Sequence, residues 1–197
     1  MKKLLSIVLF ISSPLLALEL KKPFTDSLYV YQDGGSRVNN FCPSNWMGSY
    51  GDLKYNGMFK EKPGQGISSI QIKYDAKRAQ GDGWAGIYWA SICNSWGERS
   101  GSYNLTGLKK ITFMARGEKG GEVIDKFFMG GICGEKECDT ASGQTDTIEL
   151  TKKWQSYEID LTNESLASVV GGFGFTITAD SNPDGAVFYI DEVKYVK

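Results

Sequence analysis

From residue 18 onward the chain is cut by glycine at short intervals, and the runs between the glycines are rich in β-branched and aromatic residues. Several alternate. Ile70, Ile72 and Tyr74 share one phase, with Ser69, Gln71 and Lys73 in the other. Ile111, Phe113 and Ala115 alternate with Thr112, Met114 and Arg116, and Phe173, Phe175 and Ile177 with Gly174, Thr176 and Thr178. A period of two places successive side chains on opposite faces of a half-buried strand. Strands are expected near residues 28–32, 68–74, 84–89, 110–115, 123–130, 147–150, 155–160, 173–178 and 187–196. The last run changes phase: Phe188 and Ile190 are apolar at even positions, Val193 and Tyr195 at odd ones. A bulge near Asp191-Glu192 accounts for the flip. The one helical candidate is short, Glu164 to Val170, with Thr162 or Asn163 as its cap. No linker, repeat or second composition regime interrupts residues 18–197, so a single all-β domain is expected. About nine strands with turn signals between them suggest an antiparallel two-sheet β-sandwich, with the jelly roll the favoured arrangement.

The amino end has a different pattern. Lys2 and Lys3 precede an apolar run from Leu4 to Ile11 interrupted only by Ser6, and Ser12-Ser13-Pro14 then breaks the segment before Ala17. A basic start, a short apolar stretch and a small residue at the cut describe a secretory signal peptide over residues 1–17. A spanning helix would need about 20 apolar residues. Export to the periplasm or the cell exterior is therefore expected. Removing this segment takes the net charge from −1 to −3, too mild a balance to mark a nucleic-acid surface.

Export changes the reading of the four cysteines, Cys42, Cys93, Cys133 and Cys138, which become disulfide candidates. Three pairings are possible. Cys133 and Cys138 flank Gly134-Glu135-Lys136-Glu137 as a closed loop would, which leaves Cys42 for Cys93. A four-thiolate zinc site is disfavoured, because two CxxC knuckles are lacking. Histidine is absent from the whole chain. That removes Ser-His-Asp and Cys-His catalysis and every His-ligated metal. Hydrolysis by a carboxylate pair survives the exclusion.

The densest aromatic segment is Gly83-Trp84-Ala85-Gly86-Ile87-Tyr88-Trp89. On a strand, Trp84, Gly86 and Tyr88 share one face, and a glycine between two aromatics leaves a shallow platform. Sugars pack their C–H faces on such rings. The competing reading is core, since aromatic side chains dominate cores by area, and it is stronger for Trp89. Trp96 lies in a polar stretch with Asn94, Glu98 and Arg99, where a contact role is favoured. A second long loop carries Asp33, Arg37 and Trp46. A Cys42–Cys93 bridge would bring Trp46, Trp96, Asp33, Arg37 and Asn94 to one polar-aromatic cleft. Asp180-Ser181-Asn182-Pro183-Asp184-Gly185 opens like a calcium loop, with Asp191 at its twelfth position, but a hairpin turn explains it better.

Several longer motifs carry a resemblance. Tyr-Val-Tyr-Gln-Asp-Gly-Gly-Ser (29–36), Pro-Ser-Asn-Trp-Met-Gly (43–48), Gly-Trp-Ala-Gly-Ile-Tyr-Trp (83–89), Ala-Arg-Gly-Glu-Lys-Gly-Gly-Glu (115–122) and Asn-Pro-Asp-Gly-Ala-Val-Phe-Tyr-Ile-Asp (182–191) together resemble exported bacterial proteins with a galactose-binding-like jelly roll. Carbohydrate-binding modules of family 11 share that architecture. The resemblance implies a structural calcium with Asp33 and Asp191 as ligands.

The sequence thus supports a non-catalytic, monomeric carbohydrate-binding protein that needs no cofactor. An oligo- or polysaccharide is its expected partner. Trp46, Trp84, Tyr88 and Trp96 are the expected stacking surfaces, and Asp33, Arg37 and Asn94 the hydroxyl-orienting groups. The alternatives are a small glycoside hydrolase, with Glu98 and Glu122 as the pair to inspect, and a structural or protein-interaction sandwich. A hydrolase needs two facing acids ~5–9.5 Å apart.

Overall fold

A computed structural model describes residues 26–197; the signal segment expected over residues 1–17 lies outside them. Alternation becomes two sheets. The first has the order β11 (Gln155–Asp160), β6 (Lys110–Gly117), β13 (Ala186–Val196), β4 (Ser69–Tyr74), β3 (Leu53–Phe59), with β1 (Ser27–Tyr31) also paired to β13. The second has the order β2 (Cys42–Gly48), β5 (Trp84–Ala90), β12 (Gly171–Thr178), β8 (Lys126–Gly130), β9 (Ser142–Gln144). A two-stranded ribbon joins β7 (Val123–Ile124) to β10 (Ile148–Glu149). Every pairing of these strands is antiparallel.

The inward phase of each strand meets the other sheet. Phe113 from the first sheet packs 4.7 Å from Phe127 and 5.2 Å from Phe173 of the second, ring centre to ring centre. Trp89 lies 5.8 Å from Phe173, and Phe175 meets Phe188 edge-on at 5.1 Å. Ile70, Ile72, Ile87, Ile111 and Tyr195 complete a core with essentially no solvent contact. Each such side chain contributes about 1.5–3 kcal/mol by leaving water.

Three expectations change. β2, β3 and β9 were not anticipated. β2 is an edge strand with no clean apolar-polar alternation, and its Pro43 is tolerated because an edge leaves one side of the ladder unpaired. The run 123–130 divides into β7 and β8 at Asp125. Residues 164–170 form bends and irregular chain with an isolated bridge at Val169 instead of a helix. Their backbone is taken by distant partners: Thr140 Oγ1 donates to Ser165 O and Ser168 O, and Val169 exchanges two bonds with Tyr103. A stretch this short has no helical reserve to compete with them. The bulge in the last strand is present. Register with β6 shifts between Asp191 and Lys194, and Glu192 sits at a φ of 51°.

Both expected disulfides form, Cys42–Cys93 and Cys133–Cys138. The first spans 51 residues, a loop length worth ~4 kcal/mol in the chain-entropy account. Residues 180–185 make the turn between β12 and β13; Asp180 pairs with Arg78 at 2.8 Å, and Asn182 bonds both backbone groups of Val123.

Phe173→Ala should cost about 3–5 kcal/mol in urea unfolding, because it opens a void at the meeting point of both sheets. A loss below 1 kcal/mol would show that the sheets do not depend on this contact.

Candidate functional site

The outward phase of the second sheet builds a groove. Strand register sets side chains in rows across it. Asn45, Tyr88, Gly174, Phe128 and Gln144 form one row, and Met47, Gly86, Thr176 and Lys126 the next. Gly86 and Gly174 are both buried, and neither has room for a side chain. A Cβ at Gly86 would lie 2.4 Å from Phe175 O, and one at Gly174 would lie 2.8 Å from Phe128 Cζ. The resulting cavity of about 530 Å³ is lined by Met47, Tyr88, Trp96, Lys126, Phe128, Ile132, Ser142 and Gln144, among others. Lys126 Nζ donates to Gln144 Oε1 at 3.1 Å and sits 5.4 Å from the Phe128 ring.

Trp96 forms a wall of this groove and is 41% exposed. Its loop is tied on two sides. Toward β2, Cys93 is bridged to Cys42, Asn94 N donates to Ser44 Oγ at 2.8 Å, and Asn45 Nδ2 donates to Ser95 O at 2.8 Å. Toward the Cys133–Cys138 loop, Lys136 N and Glu137 N both donate to Gly97 O. Glu137 returns with its carboxylate, accepting Gly101 N and Ser102 N. Both disulfides thus brace one exposed tryptophan.

Tyr88 has a different role from the one expected. It points into the groove, as the alternation requires, but is only 3% exposed. Phe128 meets it edge-on at 4.8 Å and Trp96 at 6.2 Å, and its hydroxyl donates to Gly130 O. Burial pushes its pKa far up. Tyr88 is a buttress that sets the angle between two more exposed rings. Trp84 lies on the same outer face at the start of β5, 38% exposed and paired with Thr178.

The expected cleft of Trp46, Asp33 and Arg37 with Trp96 does not form. Trp46 sits opposite Ile87 in the β2–β5 ladder, so it faces the core. Arg37 is exposed on the loop after β1 and does not line the groove. Asn94 is exposed on the Trp96 loop, beside the lining. Asp33 Oδ1 accepts Ile67 N and Ser68 N, both at 2.8 Å. Lys126, Phe128 and Gln144 were missed. Lys126-Phe127-Phe128-Met129 has apolar residues in both phases, and only the register with Gly174 shows that Phe128 faces out.

The implied calcium does not fit these residues. Asp191 Oδ2 accepts Gly64 N at 2.9 Å and Gln65 N at 3.0 Å, and its Oδ1 accepts Glu192 N at 2.9 Å. Asp33 and Asp191 therefore bind amide donors of one segment, 64–68, where a cation would require lone pairs turned toward it. No group of three or more His, Cys, Asp or Glu among the described residues could hold a metal ion.

No Asp or Glu among the described residues lines the aromatic groove. Glu98 is exposed on the Trp96 loop. Glu122 is buried in a separate cleft with Asn182, its oxygens accepting Lys119 N and Gly120 N. The structure does not bring this pair to the groove.

No protein-family model matches the chain, and no curated protein matches it. Among solved structures, a family 30 carbohydrate-binding module is similar, with a TM-score of 0.58 at 14% identity over 86% of this chain and 87% of that one. The family 30 module of a Clostridium thermocellum cellulosomal cellulase also has a TM-score of 0.58, at 14% identity, over 87% of this chain and 97% of that one. A mutant family 29 module has a TM-score of 0.51 at 10% identity, covering 86% and 89%. The fold is the jelly roll of such modules. The likeness found is to families 30 and 29, so the family 11 reading narrows to this shared architecture.

One half-buried acid ties down the segment behind Ile132. Asp139 accepts Ile132 N, Val170 N and Gly171 N, yet burial outweighs these bonds and pushes its pKa up to about 6. The folded chain then holds a proton between about pH 4 and pH 6 that the unfolded chain has released. That contribution to stability is present below about pH 4 and is lost as pH rises through 6. Asp191 is raised to about 6 by burial too, with the same sign. The stability of the parent chain relative to Asp139→Asn should fall between about pH 4 and 7 in urea titrations; a flat difference would contradict the burial. Melting temperature should not change between calcium and EDTA, and a calcium-induced rise would overturn the amide-donor reading.

Proposed function

We propose that this chain is a non-catalytic carbohydrate-binding module that takes an oligo- or polysaccharide into the groove on the outer face of the second sheet. The observation that carries this is Trp96, a braced and exposed indole in a groove also lined by Gly130, Gly131 and Gly143, with Phe128 across Tyr88 from it. A pyranose ring has apolar C–H faces and a polar hydroxyl edge. The faces suit Trp96 and Phe128, with Trp84 extending the surface. The edge suits Lys126, Gln144, Ser142 and Asn94. Two disulfides and the Tyr88 buttress fix the walls before a ligand arrives, which lowers the ordering cost of binding. The groove offers no carboxylate, so the hydrolase reading finds no acid there. The family 30 and 29 structures are carbohydrate-binding modules by name, and the shared fold supports the same class of ligand. The disulfides suit an exported protein, in line with the basic-apolar amino end.

The test is affinity electrophoresis against a panel of soluble neutral polysaccharides, followed by calorimetry on the best binder. Trp96→Ala should weaken binding about tenfold or more, the loss of a ring at the centre of a contact. Trp46→Phe, on the core face, should leave affinity within about twofold. A folded protein that binds no glycan in the panel would refute the proposal.

A further inference from the structure

A second cleft lies on the outer face of the first sheet. Here register aligns Asn56, Gln71, Tyr189 and Arg116 across β3, β4, β13 and β6, and Trp154 precedes β11 at the end of the row. The cleft has a volume of about 510 Å³ and is lined by Phe59, Lys62, Arg116, Lys152, Lys153, Trp154 and Tyr189, together with Glu61 and Glu118.

Arg116 lies at its centre. The guanidinium carbon is 3.8 Å from the centre of the Tyr189 ring and 5.4 Å from that of Trp154, so the group is held between two aromatics. Phe59 packs 5.1 Å from Tyr189, its ring tilted by 39°. Tyr189 donates to Glu118 Oε2 at 2.7 Å and accepts from Gln71 Nε2 at 3.2 Å, so both ring and hydroxyl are fixed. Arg116 itself donates through Nη1 to Gly117 O at 3.2 Å, with Glu118 at 3.7 Å. A clamped guanidinium keeps its planar fork of donors in one orientation, which suits bidentate recognition of a carboxylate.

The wall is fixed as well. Trp154 Nε1 donates to Lys62 O at 3.1 Å. The same segment is held by Asp191 through Gly64 N and Gln65 N, and by Asp33 through Ile67 N and Ser68 N. Asp33 and Asp191 thus hold the segment that follows the lining residue Lys62.

Charge identifies the occupant. Four cationic side chains line the cleft against two acids, and Glu118 is already engaged by Tyr189 and Arg116. The chain as a whole carries −1, so this surface departs from the molecule's average in sign. Aromatic rings beside a fixed guanidinium and exposed lysines match a ligand that is flat, partly apolar and anionic. We infer that this cleft is a second glycan site, selective for uronate-bearing oligosaccharides, whose ring packs on Trp154 and whose carboxylate meets Arg116 and Lys152 or Lys153. The site shares no residue with the neutral-sugar groove, so the two proposals stand or fall separately.

Calorimetry with a galacturonate oligomer, a neutral cello-oligomer and a poly-glutamate peptide tests this on the folded protein. The galacturonate oligomer should bind, and more weakly as salt rises. Lys152→Glu/Lys153→Glu, at two exposed positions that leave the core untouched, should weaken it about tenfold or more. Arg116→Lys, which keeps charge but loses the fork, should weaken it as well. Trp96→Ala should leave it unchanged. Three results would overturn the inference: no galacturonate binding by the folded chain, binding indifferent to the Lys152/Lys153 change, or poly-glutamate bound as tightly as the uronate. Loss of galacturonate binding in Trp96→Ala alone would place the ligand in the first groove and equally refute it.

Discussion

Apolar contact between the two sheets decides what the rest of the molecule can present. Phe113, Phe127 and Phe173 meet where the sheets face each other, and every long strand commits one phase to that contact. Because the side-chain period is two, the other phase must face out. Both clefts are consequences of this rule. Once Ile87 and Trp89 are core, Gly86 and Tyr88 are groove. Once Phe113 and Ala115 are core, Met114 and Arg116 are surface. A one-residue slip in either ladder would destroy a cleft and the core together.

Loops carry the remaining geometry, and carboxylates with little or partial exposure hold them. Asp33, Asp139 and Asp191 each accept two or more backbone amides from a distant segment. A loop has no ladder of its own, so its N–H groups need such partners once water is excluded. Asp139 gathers Ile132, Val170 and Gly171. Asp33 and Asp191 gather residues 64–68 beside the cationic cleft. For Asp139 and Asp191 the arrangement has an electrostatic cost, seen in pKa values raised to about 6.

The two outer faces differ in chemistry although they come from one plan. The groove of the second sheet is lined by several glycines, an exposed indole and a single lysine. The cleft of the first sheet is lined by no glycine and holds a guanidinium against two aromatic rings. One jelly roll therefore presents two outer faces of different chemistry from a single backbone plan.

The sequence by itself determined the sandwich class, the inward and outward phases of β4, β5, β6 and β12 and the bulge at Asp191-Glu192. Each of these is a local matter of alternation or turn chemistry. It marked the four cysteines as bridge candidates, while the 51-residue Cys42–Cys93 connection is fixed only by the fold. It also singled out Trp96, an indole in a polar loop. The tertiary structure decided the rest. β2, which lacks a strand pattern of its own, is a strand because β5 offers it a ladder, and Trp46 is on the core side because its register falls against Ile87. Phe128 could not be separated from Phe127 by pattern, since both are apolar, and only pairing with β12 assigns one to the groove. Arg116, Tyr189 and Trp154 lie far apart along the chain, and it is strand order that sets them in one row. Alternation tells which way a side chain points; which other side chains it meets depends on non-local pairing, and that information exists only once the sheets are assembled.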